Sequence, residues 1–250
     1  MKRTMLIAYL IALHLLLGLI LWKSDFIPRV MAKLAGKPHP EELSKHFRDM
    51  RAYHSRSTAR VPKGSVFFIG DSIIQGLCVD AVIQPSVNYG IGGDTTVGVL
   101  ERMGDYAFER ASAVVLCIGG NDLTYRAPEV VVANMEQIIA RIDSRLPVII
   151  SSVPLVDEGA RDILRGQNTS TSKLNTLLQH LAANSPRLSF VDHSNLTQAG
   201  QLRRDLHDGD GMHPNNEGNR ILAANLRTAV ISALGEQKSP ANATIEPASN

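Results

Sequence analysis

Hydrophobic and polar positions divide the chain into stretches of different period. Residues 5–22 form a nearly unbroken apolar run, interrupted at His14, with Lys2 and Arg3 before it and Lys23 behind it. A membrane-crossing helix takes roughly 17–25 apolar residues, so the run reads as a transmembrane signal-anchor after a short tail, 1–4. A cleaved signal peptide is the rival reading. It calls for small residues close behind the run, and the first such pair, Val30 and Ala32, lies well beyond it. Residues 23–40 carry Pro28, Gly36, Pro38 and Pro40 and read as a linker. Over 41–60, Leu43, Phe47, Met50 and Tyr53 recur at helical spacing among charges, which predicts an amphipathic helix on the edge of the main domain.

From residue 65 onward short apolar runs alternate with longer amphipathic ones. Strands are expected at 65–69, 86–89, 113–118, 148–153 and 188–191, and helices at 97–108, 128–145, 172–183 and 217–234. In the second helix Val131, Met135, Ile138, Ile139 and Ile142 make one stripe, and Pro128 suits its first turn. Strand and helix alternating in this way imply an α/β fold, a five-stranded parallel sheet with helices on both faces, over a main domain at 61–234. Residues 235–250, polar with Pro240 and Pro247, are expected to be disordered.

Composition changes this picture little. Apolar residues make up 44% and charged residues 20%, as in an ordinary globular protein with a good core. A net charge of +2 with no long Lys/Arg block argues against nucleic-acid binding. The short, basic N-terminal tail places the main domain outside the cytoplasm, in a periplasm or lumen, although Lys23, Arg29, Lys33 and Lys37 pull the other way. Cys78 and Cys117 leave both the compartment and their own pairing open.

The candidate chemistry lies in the turns after the strands. Gly70-Asp71-Ser72 ends the first strand, where ligands of open α/β sheets bind, so Ser72 is a candidate nucleophile and Asp71 a residue that ties down the turn. Gly90-Ile91-Gly92-Gly93-Asp94-Thr95 follows the second strand, and its glycines let a main-chain N–H approach a ligand closely. Gly119-Gly120-Asn121-Asp122 follows the third, with Asn121 either a side-chain donor to an oxyanion or a helix cap. Beyond it Tyr125 and Arg126 either shape a substrate pocket or sit in a solvated loop. Asp208-Gly-Asp210-Gly-Met212-His213-Pro214 precedes the last helix and offers His213 as a base with Asp210 to orient it. The same segment resembles the start of a calcium loop, but Asn219 stands where the closing acidic residue belongs, so no metal is expected.

In order and spacing, Gly70-Asp71-Ser72, Gly93, Gly119-Gly120-Asn121-Asp122 and Asp210-x-x-His213 resemble the four blocks of the SGNH (GDSL-type) hydrolases. The likeness covers roughly 65–234, with Ile73 where the family name has leucine. The stretch from Asn88 to Thr96 is especially similar to the catalytic subunits of platelet-activating-factor acetylhydrolase. The resemblance implies a flavodoxin-like α/β/α sandwich and no cofactor. It also implies Ser72 as nucleophile, His213 as base and Asp210 as its partner. The oxyanion hole would be the N–H groups of Ser72 and Gly93 with the Asn121 side chain.

The expectation is therefore a membrane-anchored serine esterase acting on a small ester substrate, short acyl groups such as O-acetyl on lipids or glycans first. A membrane-surface lysophospholipase or thioesterase is the enzymatic alternative. A binding module that kept the fold and lost activity is the non-enzymatic one, against which the intact Ser72, Asn121, Asp210 and His213 argue.

Overall fold

The computed structural model describes residues 2–23 and 43–238, and divides into two units, Met1–Ser44 and Lys45–Asn250. In the first, Lys2–Lys23 is a helix, α1. Among the described residues no helix is long and apolar enough to cross a membrane. α1 has Lys2, Arg3 and Lys23 at its ends and His14 within, so its apolar stretch is short and interrupted. The expected anchor at 5–22, the membrane as partner and the extracytoplasmic placement of the main domain are corrected accordingly. The expected linker lies, from residue 24, outside the described residues.

The second unit opens with α2 (Lys45–Thr58), which buries Phe47, His54 and Thr58. Five strands follow: β1 (Ser65–Gly70), β2 (Ser86–Gly90), β3 (Ala111–Cys117), β4 (Val148–Ser151) and β5 (Leu188–Val191). They pair side by side, all parallel, in the order β2-β1-β3-β4-β5. This is the doubly wound order whose ligand site lies where strand order reverses, beside β1 and β3.

Alternation along the strands sends side chains to two separate cores. Phe67, Ile69, Val114, Leu116, Val148 and Ile150 pack with residues of α5 (Pro128–Arg141) and α6 (Gln167–Ala183). Val66, Phe68, Val115 and Ile149 pack instead with Leu222, Leu226 and Val230 of the last helix, α7 (Asn216–Lys238). Period two on the strands therefore builds both layers of the sandwich.

Several boundaries differ from the sequence expectation for local reasons. The helix expected at 97–108 is α4 (Thr96–Arg102), followed by two 3₁₀ turns. α5 stops at Arg141, and Asp143 accepts hydrogen bonds from the main chain and guanidinium of Arg145 in the turn that follows. α6 begins five residues before the expected Ser172, behind a left-handed Gly166. α7 runs on to Lys238, so 235–238 are helical, and 239–250 lie outside the described residues. A four-residue helix, α3 (Ser72–Gln75), and a hairpin of β6 (Thr197–Gln198) and β7 (Gln201–Leu202) had no counterpart in the periodicity.

The carboxyl ends of β2, β1 and β3 are level, with Gly70 beside Gly90 on one side and Cys117 on the other. Gly90 lets α3 descend onto that edge: a Cβ there would stand 2.1 Å from the main-chain N of Gln75 and 2.6 Å from the carbonyl carbon of Ile74. Backbone cannot yield as a side-chain tip does. Gly90→Ala is expected to cost about 1–3 kcal/mol, the range for overpacking, and to lower the urea midpoint with little change in slope.

Candidate active site

Asp71 ends β1 and caps α3, its Oδ1 accepting the Ile73 N–H at 3.0 Å. That cap turns the chain so that Ser72, half-buried, opens the short helix at the level of the strand ends. Asn88 clamps the far end of the turn: its amide donates to the carbonyls of Ile74 at 2.6 Å and Leu77 at 3.0 Å, and its Oδ1 accepts from Gly90 N–H at 2.8 Å.

His213 reaches the same place from the loop before α7. Its Nε2 stands 2.9 Å from Ser72 Oγ, and its Nδ1 2.5 Å from Asp210 Oδ2. Asp210 Oδ1 also accepts the main-chain N–H groups of Met212 and His213, each at 2.9 Å. Burial raises the Asp210 carboxyl, but the His213 ring and these two N–H groups outweigh it and hold the group down at about 2. An anionic Asp210 accepts the hydrogen bond of Nδ1–H, which keeps the proton on Nδ1 and leaves Nε2 to accept from the Ser72 hydroxyl. A hydroxyl so placed loses its proton as it attacks.

Two further loops close on Ser72. After β2 the chain turns at Gly93, φ 76°, with open space where a Cβ would be, so conformation alone requires glycine there. Among the described residues, neither the Ser72 N–H nor the Gly93 N–H donates to a protein acceptor. After β3, Asn121 donates one amide hydrogen to the Asp94 carbonyl at 2.9 Å, which fixes the side chain and leaves its second hydrogen for another acceptor. Main-chain N–H groups and a side-chain amide are donor types that can stabilise a developing oxyanion.

Sequence reasoning missed what holds the two loops. Arg102 of α4, 1% exposed, donates to Asp94 Oδ2 at 2.7 and 3.0 Å, to the carbonyls of Tyr89 at 2.8 Å and Gly70 at 3.2 Å, and to the Tyr106 hydroxyl. Burial pushes the Asp94 carboxyl up to about 6, with the Arg102 guanidinium pulling against it. Asp122 bridges the other loop to the start of α4. It accepts from Thr96 N at 2.9 Å and Thr96 Oγ1 at 2.5 Å, and pairs with Arg126 at 2.7 Å. Arg126 thus serves this bridge, and neither it nor Tyr125 lines the cavity beside Ser72. In sequence Arg102 is one charge in an amphipathic stretch, with nothing to mark it as buried.

That cavity holds about 450 Å³. Ile73, Cys117, Ile118, Leu123, Val153 and Met212 line the side near Ser72. Cys117 is a free, buried thiol, which burial first and the Asp71 charge second push up to about 12, so it stays protonated. Cys78 is free and exposed, so the two cysteines are not bonded to each other.

A sequence model of the GDSL-like lipase/acylhydrolase family matches residues 68–221, more than half of the chain. The chain belongs to this family. Among its relatives, platelet-activating factor acetylhydrolase IB subunit alpha1 of Homo sapiens is 25% identical over 239 residues, covering 86% of this chain and 96% of that protein. The Bos taurus protein of the same name is 27% identical over 177 residues, 63% and 72% of the two chains. A GDSL-like lipase from Bacteroides thetaiotaomicron superposes with a TM-score of 0.63 at 20% identity, over 75% of this chain and 99% of that one. A carbohydrate esterase family 3 structure from Talaromyces cellulolyticus gives 0.56 at 13%, over 69% and 99%. At such identities these two structures speak to the fold, a five-stranded parallel α/β sandwich. Membership makes the chain an ester hydrolase of the GDSL-like acylhydrolase type.

Asp71 supplies a pH test of the site's foundation. Burial, and then the charges of Asp94 and Asp122, raise its carboxyl from 3.8 to about 7 against the Ile73 N–H. A group with a raised folded pKa binds more protons folded than unfolded, so its contribution falls as pH rises from about 4 to about 7. Asp71→Asn keeps the capping oxygen and removes the titration. Its stability relative to the parent should climb across that window, by at most about 1.4 kcal/mol per pH unit, in urea unfolding at stepped pH. A flat difference would show that Asp71 does not titrate there.

Proposed function

We infer that the chain is a serine esterase that hydrolyses carboxylic esters through an acyl-enzyme on Ser72. The observation that carries this reading is the hydrogen-bonded line Ser72 Oγ, His213, Asp210, at 2.9 and 2.5 Å, together with Ser72 and Gly93 N–H groups that have no protein acceptor among the described residues. In this reading Ser72 Oγ attacks the ester carbonyl as its proton passes to His213 Nε2. Negative charge collects on the carbonyl oxygen, where the Ser72 and Gly93 N–H groups and the Asn121 amide meet it. The tetrahedral species collapses as His213 returns the proton to the leaving alkoxide. Water then attacks the acyl-enzyme by the same route, restoring Ser72 and releasing the acid. Asp210 stays ionised throughout and stabilises the imidazolium.

Likeness to an acetylhydrolase subunit supports acetyl as an acyl group within reach of the site. The lipid or glycan that carries the ester is left to substrate profiling.

The test uses the purified full chain with a fluorophosphonate probe and p-nitrophenyl acetate. Labelling and turnover should both vanish in Ser72→Ala; folded parent protein that neither labels nor turns over the ester would bring the binding-module alternative forward. Asn121→Ala should lower kcat by about 10²–10³ while still labelling slowly, since one oxyanion donor is worth that much.

A further inference from the structure

The cavity beside Ser72 has a direction, set by stereochemistry. The carbon attacked by Ser72 Oγ bears three other substituents: the oxyanion, the leaving oxygen and the acyl chain. The oxyanion points toward the donors on Ser72, Gly93 and Asn121, and the leaving oxygen must face His213, which protonates it. Ser72 and Asn121 line the cavity, whereas Gly93 and His213 do not. With the leaving group on the His213 side and the oxyanion a single atom, the cavity is left to the acyl chain. Its volume of about 450 Å³ lies in the range that takes ligands of drug size, far beyond an acetyl methyl.

Another part of the lining is the segment from Arg161 to Ser170, which brings Ile163 and Leu164 to the cavity together with two arginines, Arg161 and Arg165. Arg165 already pairs with Asp162 at 2.8 Å, though at 76% and 89% exposure that pair is weak. Arg161 is exposed, and its guanidinium has no hydrogen bond or ion pair among the described residues. Among the lining residues the one carboxyl is Asp71, buried beneath Ser72. The segment is also anchored. Asp157 N–H bonds the Gly211 carbonyl at 2.8 Å, Glu158 Oε1 accepts from Asn168 N–H at 2.7 Å, and the Asn168 side chain bridges both main-chain groups of Val156 at 2.8 and 2.9 Å. Arg161 is therefore presented from a wall fixed at both ends.

We propose that the enzyme prefers esters whose acyl chain is apolar next to the carbonyl and ends in a carboxylate, which Arg161 pairs with at the cavity mouth. The preferred acyl group is thus that of a dicarboxylic half-ester, a reading that rests on Ser72 as the nucleophile. A planar guanidinium matches a carboxylate through two parallel N–H bonds, where a lysine would act as a point charge.

The test keeps one leaving group and varies the acyl chain. p-Nitrophenyl acetate, hexanoate and octanoate are compared with the p-nitrophenyl half-esters of adipic and suberic acid, on the full chain and on Ser72→Ala, Arg161→Ala and Arg161→Lys. In the parent, kcat/KM should rise from acetate to hexanoate, and the better half-ester should exceed its uncharged partner about tenfold, the worth of one charge-assisted contact. Arg161→Ala should bring that ratio to about one, and Arg161→Lys should retain part of it. Because the ratio is taken within one preparation, it does not depend on how much of a variant folds. Acetate as best substrate, a parental ratio near one, or a ratio that survives Arg161→Ala would each overturn the proposal with Ser72 catalysis intact. Turnover persisting in Ser72→Ala would instead overturn the Ser72 reading and this proposal together.

Discussion

One buried ion pair ties the catalytic end of the sheet together. Arg102 spends its guanidinium on Asp94, on the Gly70 carbonyl that ends β1 and the Tyr89 carbonyl one residue before the end of β2, and on the Tyr106 hydroxyl, all in buried surroundings. Replacing such a pair by apolar residues is often neutral for stability, so the pair is poorly explained as a source of it. Geometry explains it better. Strand ends have carbonyls that point along the sheet, and a planar cation with five donors can collect several of them with a carboxylate. The carboxylate belongs to the turn that carries Gly93, so the pair sets the height of that turn above β1, where Ser72 begins. Breaking it from one side would leave a buried charge unmatched, at about 3–5 kcal/mol.

The same logic repeats with smaller parts around the rim. Asp122 ties the Asn121 loop to Thr96, Asn88 ties α3 to β2, and Asn121 itself leans on the Asp94 carbonyl. Each segment is tied to a different one by a side-chain contact. His213 is the exception, because its loop is held mainly from within. His207 Nδ1 accepts the N–H groups of Gly209 and Gly211 at 3.0 and 3.2 Å, and Asp208 N–H bonds the His213 carbonyl at 3.0 Å. The constellation is a few short rigid loops registered against one another by buried polar contacts, on a sheet edge that supplies the common plane.

What was legible in the sequence follows from this division. The unbroken apolar runs of β1, β3 and β4 reflect burial on two faces, and the stripe of α5 burial on one, signals each segment carries by itself. The glycines after β1, β2 and β3 were also visible, because close approach and left-handed turns leave a residue-type mark. Arg102 and Asp122 were not, since a buried charge looks like a surface charge until its partner, from another segment, is placed. The ends of α5 and α6 depended on turns around Asp143 and Gly166 that periodicity does not register. At the N-terminus, the apolar run at 5–22 promised more than the described part of α1 delivers.

The electrostatics of the site bear on the chemistry most directly. Asp71, Asp94 and Asp122 are all buried and close enough to raise one another's pKa, and they lie around the place where an oxyanion would form. Three fixed negative charges would oppose that oxyanion in a low-dielectric setting. Two of the three are answered: Asp94 has Arg102, and Asp122 has Arg126 and Thr96. Asp71 accepts the Ile73 N–H but has no guanidinium beside it, and its carboxyl moves up to about 7 instead. Near neutral pH it is thus partly protonated, and the charge beneath Ser72 is reduced without a countercation. In the proposed mechanism a protonated Asp71 removes a charge that would oppose the oxyanion, and the N–H groups of Ser72 and Gly93 with the Asn121 amide then act on it without that opposition.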